Sequence, residues 1–345
     1  DWLVDLLGLP ISWRTDGPGG GVIQMSASDS THTALVVARH RATATADPAD
    51  LVAYTSQQAH SSVEKGARVA GYRHLRLVAV DAGQAMDPAA LRHAVIADLD
   101  AGLTPAFVCT TVGTTGTAAV DPVRSVAETA ARHGMWHHVD AAYAGTAMVL
   151  PELRHHQDGL ELVDSYVFNP HKWMFTNFDC SVFWVADRRP LLDALSITPP
   201  YLRNRASAAT DVIDYRNWHV PLGRRFRALK LWFVLRSYGA EGIRHHVRRH
   251  VELAGDLTRR IEDDARLALV APTHFGLVSF RHVDGDAGTS EVADAINGSG
   301  RYHVTTSVID GRAFIRVAVG QTTTEARHVD GLWDVVDASA APPAG

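Results

Sequence analysis

Of the 33 Lys and Arg residues only three are lysines, Lys65, Lys172 and Lys230, so chemistry that needs a lysine amine has three candidates. Lys172 stands in Asn169-Pro170-His171-Lys172-Trp173, directly after a strand-like apolar run over 163–168. Ligands of open α/β sheets bind at the carboxyl ends of strands. An ammonium flanked by Pro, His and Trp is expected to be partly desolvated, which frees the amine as a nucleophile. Lys65 follows Ser61-Ser62-Val63-Glu64, in which Ser61 and Glu64 read as a capping box, so it is expected on an exposed first turn. Lys230 lies among arginines on a helical stretch and reads as a solvated or interface charge.

A carboxylate is the second feature. In His138-Val139-Asp140-Ala141-Ala142-Tyr143-Ala144-Gly145, Asp140 ends a strand and small residues follow it. It can approach a flat ring closely, and taken alone it reads equally well as the cap of the next turn. Two segments offer an anion site. Ser26-Ala27-Ser28-Asp29-Ser30 precedes a helical run over 33–40, and hydroxyls and N–H groups at a helix start attract anions. Gly113-Thr114-Thr115-Gly116 follows a strand over 107–111, and Asn169 can reach the same region. The glycines of 17–21 lack the Gly-Lys-Ser/Thr ending of a P-loop and read as a turn. His60 follows a strand over 51–55, where an imidazole could stack on a planar ligand, although with 19 histidines a lone one is more often structural. Neither His133, His137 and His138 nor His245, His246 and His250 has a carboxylate or Cys partner at ligand spacing, so no metal site is expected.

These residues need elements to hold them. Strands are expected over 75–80, 107–111, 135–139, 163–168 and 181–185. Helices are expected from Asp87-Pro88 to Asp100 and from a cap at Asp121-Pro122 to His133, with Gly102 and Gly134 at their ends. Strand–helix alternation predicts an α/β fold with a mainly parallel sheet covered by helices. Past Gly239 a charged helical stretch over 244–263 leads to strands over 276–281, 301–308 and 313–319, which read as a smaller α+β domain. The predicted division is 1–240 and 241–345, with a frayed tail over 339–345.

The 345 residues suffice for such a pair of domains, and the composition, 46% hydrophobic and 21% charged, is ordinary globular composition. A net charge of −5 gives no reason to expect nucleic acid or an anionic membrane as partner. No apolar run approaches transmembrane length. Cys109 and Cys180 lie in apolar strand-like runs, so a reducing, cytoplasmic setting without a disulfide framework is expected.

Taken together the residues resemble the aromatic-L-amino-acid decarboxylases, the pyridoxal 5′-phosphate (PLP) dependent group II decarboxylases of the aspartate aminotransferase (type I) fold. The resemblance spans nearly the whole chain. Besides the stretches above it rests on Gly19-Gly20-Gly21-Val22-Ile23-Gln24, Gln58-Ala59-His60-Ser61-Ser62-Val63-Glu64 and Asn177-Phe178-Asp179-Cys180-Ser181. It continues in Asp214-Tyr215-Arg216-Asn217-Trp218 and Pro221-Leu222-Gly223-Arg224-Arg225-Phe226-Arg227. It implies a seven-stranded large domain and a small C-terminal domain, and a homodimer with the active site at the interface. Lys172 would carry PLP and His60 would stack on the ring. Asp140 would pair with the ring nitrogen, an attraction of about 4 kcal/mol at an effective dielectric near 20. Ala27, Ser28 and Asn169 would hold the phosphate, Thr115 would line the site, and His171 would touch both cofactor and substrate. Tyr201, on a polar loop reaching to about Asp211, would return a proton to the α-carbon after carbon dioxide leaves. Gly223 stands where plant relatives tend to have Gly for indolic and Ser for phenolic substrates, which leans toward tryptophan or 5-hydroxytryptophan over tyrosine or DOPA.

Family members also carry an N-terminal helical segment before the match to Asp1-Trp2-Leu3; its absence here is expected to weaken the dimer and its activity. The rival readings are an aldehyde synthase, in which the loop tyrosine or the stacking histidine is typically replaced, and an inactive PLP-binding relative. Tyr201, His60, Lys172 and Asp140 are all present, which favours a working decarboxylase. An NAD-dependent oxidoreductase would need Gly-x-Gly-x-x-Gly after the first strand, and that motif is missing.

Overall fold

The computed structural model describes residues 1–197 and 213–340. Helix α1 (Trp2–Leu7) leads to strand β1 (Gly20–Gln24), helix α2 (Ala27–Ala42), β2 (Leu51–Ser56), α3 (Ser61–Val69) and β3 (His74–Val78). Then follow α4 (Pro88–Asp100), β4 (Thr104–Thr111), α5 (Val123–Arg132), β5 (Trp136–Asp140) and β6 (Ser165–Phe168). The one-turn helix α6 (Pro170–Trp173), β7 (Ser181–Val185) and α7 (Arg188–Leu195) complete this part.

The seven strands form one sheet in the order β1-β7-β6-β5-β4-β2-β3. The pairs β3–β2, β2–β4, β4–β5 and β5–β6 are parallel, and β7 runs against both of its neighbours. Every residue of β2, β5, β6 and β7 is buried, as strands covered on both faces must be. Alternate residues serve opposite layers. Leu51 and Ala53 pack with Leu35 and Ala38 of α2, whereas Val52 and Tyr54 pack with Leu91 and Val95 of α4.

Helix α8 (Arg227–Glu262) leads into a second sheet of β8 (Leu267–Leu269), β9 (Leu277–His282), β10 (Thr305–Ile309) and β11 (Arg312–Ala318), in the order β10-β11-β9-β8 and wholly antiparallel. Gly239 interrupts α8 with φ 63° and ψ 175°. Beyond it Leu253, Leu257 and Ile261 of α8 share a separate core with Phe280, Ile315, Ile296 of α9 (Asp286–Gly298) and Val336 of α10 (Ala326–Ser339).

Four local expectations need correction. Helix α2 begins at Ala27 rather than near residue 33, because the Ser26 hydroxyl accepts the Asp29 N–H and caps it. Ser61 does not cap α3; His60 is the N-cap, with Nδ1 accepting the Ser62 N–H at 3.1 Å. Asp121 does not cap α5. Its two oxygens accept the N–H groups of Thr111 and Met86, each at 2.7 Å, and Pro122 is the N-cap. The strand expected over 301–308 starts only at Thr305, since the Asn297 amide takes both backbone groups of Val304 out of the ladder.

Candidate active site

Strands β1, β2, β4, β5 and β6 point the same way, so Gln24, Ser56, Thr111, Asp140 and Phe168 end at one edge of the sheet. Thr111, Asp140 and Val167 are register partners on adjacent strands, which places them within about 5 Å per strand of one another. The turns that leave this edge carry the candidate residues.

Lys172 lies on α6, not on an open loop, and its side chain is exposed rather than desolvated. Pro170 at the start of α6 sets the turn. Three bonds fix it from different sides. The Asn169 N–H donates to Ala142 O in the turn after Asp140 at 3.1 Å, the Lys172 N–H donates to Asn169 O at 2.9 Å, and His171 Nδ1 accepts the Cys180 N–H at 2.7 Å. Burial, and after it the Lys172 charge, hold the His171 imidazole below its ordinary pKa. Lys230 is not a solvated charge; with Arg227 it pairs with Asp179, whose carboxyl is held down to about 2 chiefly by the Arg227 hydrogen bond. That ion pair ties the segment after Lys172 to the first turn of α8.

Lys172 faces a cavity of about 440 Å³, a size within the range of small-molecule sites. Thr114, Thr115, Tyr143, Trp173 and Arg316 line it as well. Thr115 is therefore brought to the lysine. Arg316 and Tyr143 are additions that sequence reasoning missed. Tyr143 lies in a motif singled out above without a role, whereas Arg316 is one arginine among many on an ordinary strand. The Arg316 Nε donates to Gly116 O at 3.1 Å, and the Ser279 hydroxyl donates to the same carbonyl at 3.0 Å. The second sheet thus closes one side of the cavity.

Asp140 is 4% exposed and Asn169 2%. One Asp140 oxygen accepts the Ala142 N–H at 2.9 Å, so the carboxylate does cap its turn, and the other oxygen remains. Ala27 and Ser28 occupy the first turn of α2, where N–H groups lack intrahelical partners. His60 is exposed, and in the neutral ring its proton sits on Nε2 because Nδ1 accepts from Ser62. Gly223 is exposed, does not line the lysine cavity, and has nothing within 4 Å of a built Cβ. Tyr201 lies outside the described residues. Among those residues no group of three or more His, Cys, Asp or Glu is arranged to hold a metal, and no helix is long and apolar enough to cross a membrane.

A lysine turn after β6 and a buried carboxylate at the end of β5, on a seven-stranded mixed sheet, have the architecture of the PLP-dependent transferase fold. The profile of the pyridoxal-dependent decarboxylase conserved domain matches residues 1–283. Tryptophan decarboxylase 2 of Oryza sativa subsp. japonica is 42% identical over 97% of this chain and 70% of its own length. A phenylacetaldehyde synthase of Arabidopsis thaliana is 41% identical over 99% of this chain and 72% of its own. The crystal structure of Oryza sativa TDC with PLP and tryptamine superposes with a TM-score of 0.94 at 40% identity, covering 99% of this chain and 74% of that one. The chain belongs to the pyridoxal-dependent decarboxylase family. It is a carboxy-lyase with PLP as its cofactor.

The residues present fit that cofactor. Asn169 Oδ1 is buried with no partner among the described residues. An amide can present either end to a ligand, so it is available to a polar group of the cofactor.

Proposed function

We propose that the protein decarboxylates an aromatic L-amino acid to its arylalkylamine, with Lys172 as the residue that carries PLP. The observation that carries this assignment is the convergence of Lys172, Asp140 and Asn169 on adjacent turns of one sheet edge. PLP, when bound, supplies an electron sink for the bond that breaks, and the protein decides which bond that is. Lys172 offers the amine that holds the cofactor and later releases the product. Asp140, buried at the end of β5, would be the partner of the ring nitrogen. Ala27, Ser28 and Asn169 would hold the phosphate, His60 would stack on the ring, Thr115 lines the site, and His171 would contact cofactor and substrate. Arg316 lines the same cavity as Lys172 and suits a substrate carboxylate. Tyr201 is assigned the proton donor, and with His60 it favours decarboxylation over the aldehyde-forming outcome of some relatives.

Gly223 leans the substrate toward tryptophan or 5-hydroxytryptophan, in line with the tryptophan decarboxylase among the relatives. We also assign a large domain over 1–240 and a small one over 241–345, meeting at the Gly239 break in α8. The working unit is assigned as a cytoplasmic homodimer with its active site at the interface. Two buried free thiols suit a reducing compartment. The exposure of Phe226 (76%), Leu222, Phe233 and Trp232 makes an apolar face that calls for a partner. Sedimentation at micromolar concentration tests the dimer: a monomer that turns over at full rate would refute it.

The activity test is direct. Holoenzyme is incubated with L-tryptophan, L-tyrosine, L-DOPA and L-phenylalanine, and products are identified by mass spectrometry beside Lys172→Ala. Amines from the wild type and none from the variant are expected. Aldehydes would move the assignment to the oxidative relatives, and amines from Lys172→Ala would overturn the role of Lys172.

A further inference from the structure

Trp173 follows the lysine and is 2% exposed. Its ring stacks on Tyr143, with centroids 5.0 Å apart and planes 12° apart. Its Nε1–H donates to His250 Nδ1 at 3.0 Å. That bond requires Nδ1 to be an acceptor, so the proton of the neutral ring is on Nε2, and Nε2 donates to Gln321 O at 2.9 Å. His250 is 1% exposed and sits on α8 beyond the Gly239 break. Burial holds it below its ordinary pKa, in keeping with the neutral ring. A Cβ at Gly276 would stand 3.0 Å from the Trp173 ring, and one at Gly320 3.3 Å from it. Tyr143, Trp173, Gly320 and Gln321 all line the Lys172 cavity, and His250 does not.

We propose that His250 is a positioning residue for the lysine turn: one ring nitrogen fixes the Trp173 indole next to Lys172, and the other fixes the 320–321 segment, which lines the same cavity beside that indole. A histidine that merely filled the core would need neither bond to a cavity wall. Here each nitrogen is spent on one, and the two walls come from different sheets. The consequence is that the closure of the second sheet over the cavity and the set of the lysine turn are coupled through a single imidazole. This rests on the assignment of Lys172 as the PLP residue.

The two bonds can be separated by substitution. His250→Asn keeps an acceptor at the Nδ1 position and loses the donor to Gln321. His250→Gln keeps a donor at the Nε2 position and loses the acceptor for Trp173, and His250→Phe loses both. The readouts are the rate of PLP release from holoenzyme on dilution and the visible circular dichroism of the bound cofactor. His250→Gln and His250→Phe should release PLP faster by about tenfold, the size of one buried hydrogen bond lost with its partner left unsatisfied, and His250→Asn within about threefold of wild type, because Gln321 is exposed and its freed carbonyl can bond water whereas the buried indole N–H cannot. In a Trp173→Phe background, which lacks the donor, the further change His250→Gln should add nothing to the release rate. Equal release from His250→Asn and His250→Gln, or a full additional effect in the Trp173→Phe background, overturns the proposal, whether or not His250→Phe folds. Borohydride reduction and peptide mapping run on the same samples. A label on a lysine other than Lys172 sinks the underlying assignment, whereas a label on Lys172 with no Asn–Gln difference sinks only the role of His250.

Discussion

A single methyl group at Gly276 should part the second sheet from the lysine turn. The Cβ of Gly276→Ala would stand 2.6 Å from Val319 O, which is 0.8 Å short of the 3.4 Å at which ordinary contact begins. It would also meet Trp173 Cζ2 at 3.0 Å and the Tyr143 hydroxyl at 3.3 Å. None of these neighbours yields easily. Val319 is bonded to the same residue, its N–H donating to Gly276 O at 2.7 Å, and the Trp173 ring is pinned by Tyr143 and His250. Forcing an extra methyl into a packed site costs about 1–3 kcal/mol. In a chain of this size that corresponds to a fall in Tm of roughly 1–4 °C. The displaced atoms are cavity walls, so PLP release should quicken in the same variant. Scanning calorimetry and PLP release on dilution measure both. The control is Gly298→Ala at the end of α9, where a Cβ meets nothing within 4 Å and the helical backbone favours alanine; it should be neutral or stabilising by up to about 1 kcal/mol. If Gly276→Ala matches Gly298→Ala in both measurements, the Trp173 platform is softer than its contacts imply and the reasoning fails.

Two further predictions concern the segments flanking the site. Asp179→Asn removes the charge that pairs with Arg227 and Lys230, and should lower stability by about 1–3 kcal/mol at neutral pH. The Asp179 carboxyl titrates near 2 when folded, below its ordinary value. Its contribution is therefore present above about pH 4 and is lost as pH falls toward 2. Acid unfolding curves of wild type and variant should converge across that window, and parallel curves there would refute the pairing. At Gly223 a side chain meets open space, so Gly223→Ser should leave Tm within about 1 °C while product ratios from equimolar L-tryptophan and L-tyrosine shift toward the phenolic amine. An unchanged ratio in the intact dimer would remove Gly223 from the substrate site.

The features legible in the sequence share one property: their cause is local. Strands β2, β6 and β7 of the large sheet are short, wholly buried and largely apolar, and such runs declare themselves between turn residues. Lys172 stands out because it is one of three lysines and follows a strand end, and Asp140 because small residues succeed it. Local signals failed where two short-range partners competed. Ser61 and His60 both offer an acceptor to the first turn of α3, and the imidazole, one residue earlier, takes it. Asp121 precedes a proline and a helix, yet its carboxylate turns back to Met86, 35 residues away. The onset of α2 is hidden because Ser28, Asp29 and Ser30 are poor helix formers in isolation, and the cap from Ser26 outweighs that.

What the sequence hides is whatever the second sheet brings to the first. Arg316 reaches Gly116 across 200 residues and His250 reaches Trp173 across 77. Neither partner of either pair carries a periodicity or spacing that names the other. The two kinds of residue differ in what they can do as well as in how they are found. Asp140 and Asn169 are set by the register of adjacent strands and need nothing from the second sheet, whereas the lysine turn is also steadied through Trp173 and His250. Arg316, Gln321 and the far wall of the cavity exist only while the second sheet is docked. A chain whose second sheet is loosened should therefore still present its lysine and its carboxylate, but in an open site that holds PLP less tightly. Gly276→Ala and the His250 variants probe that division from the two sides of the Trp173 indole, one by crowding it and the other by releasing it. Their effects on PLP release should be less than additive when combined, because each acts through the same ring.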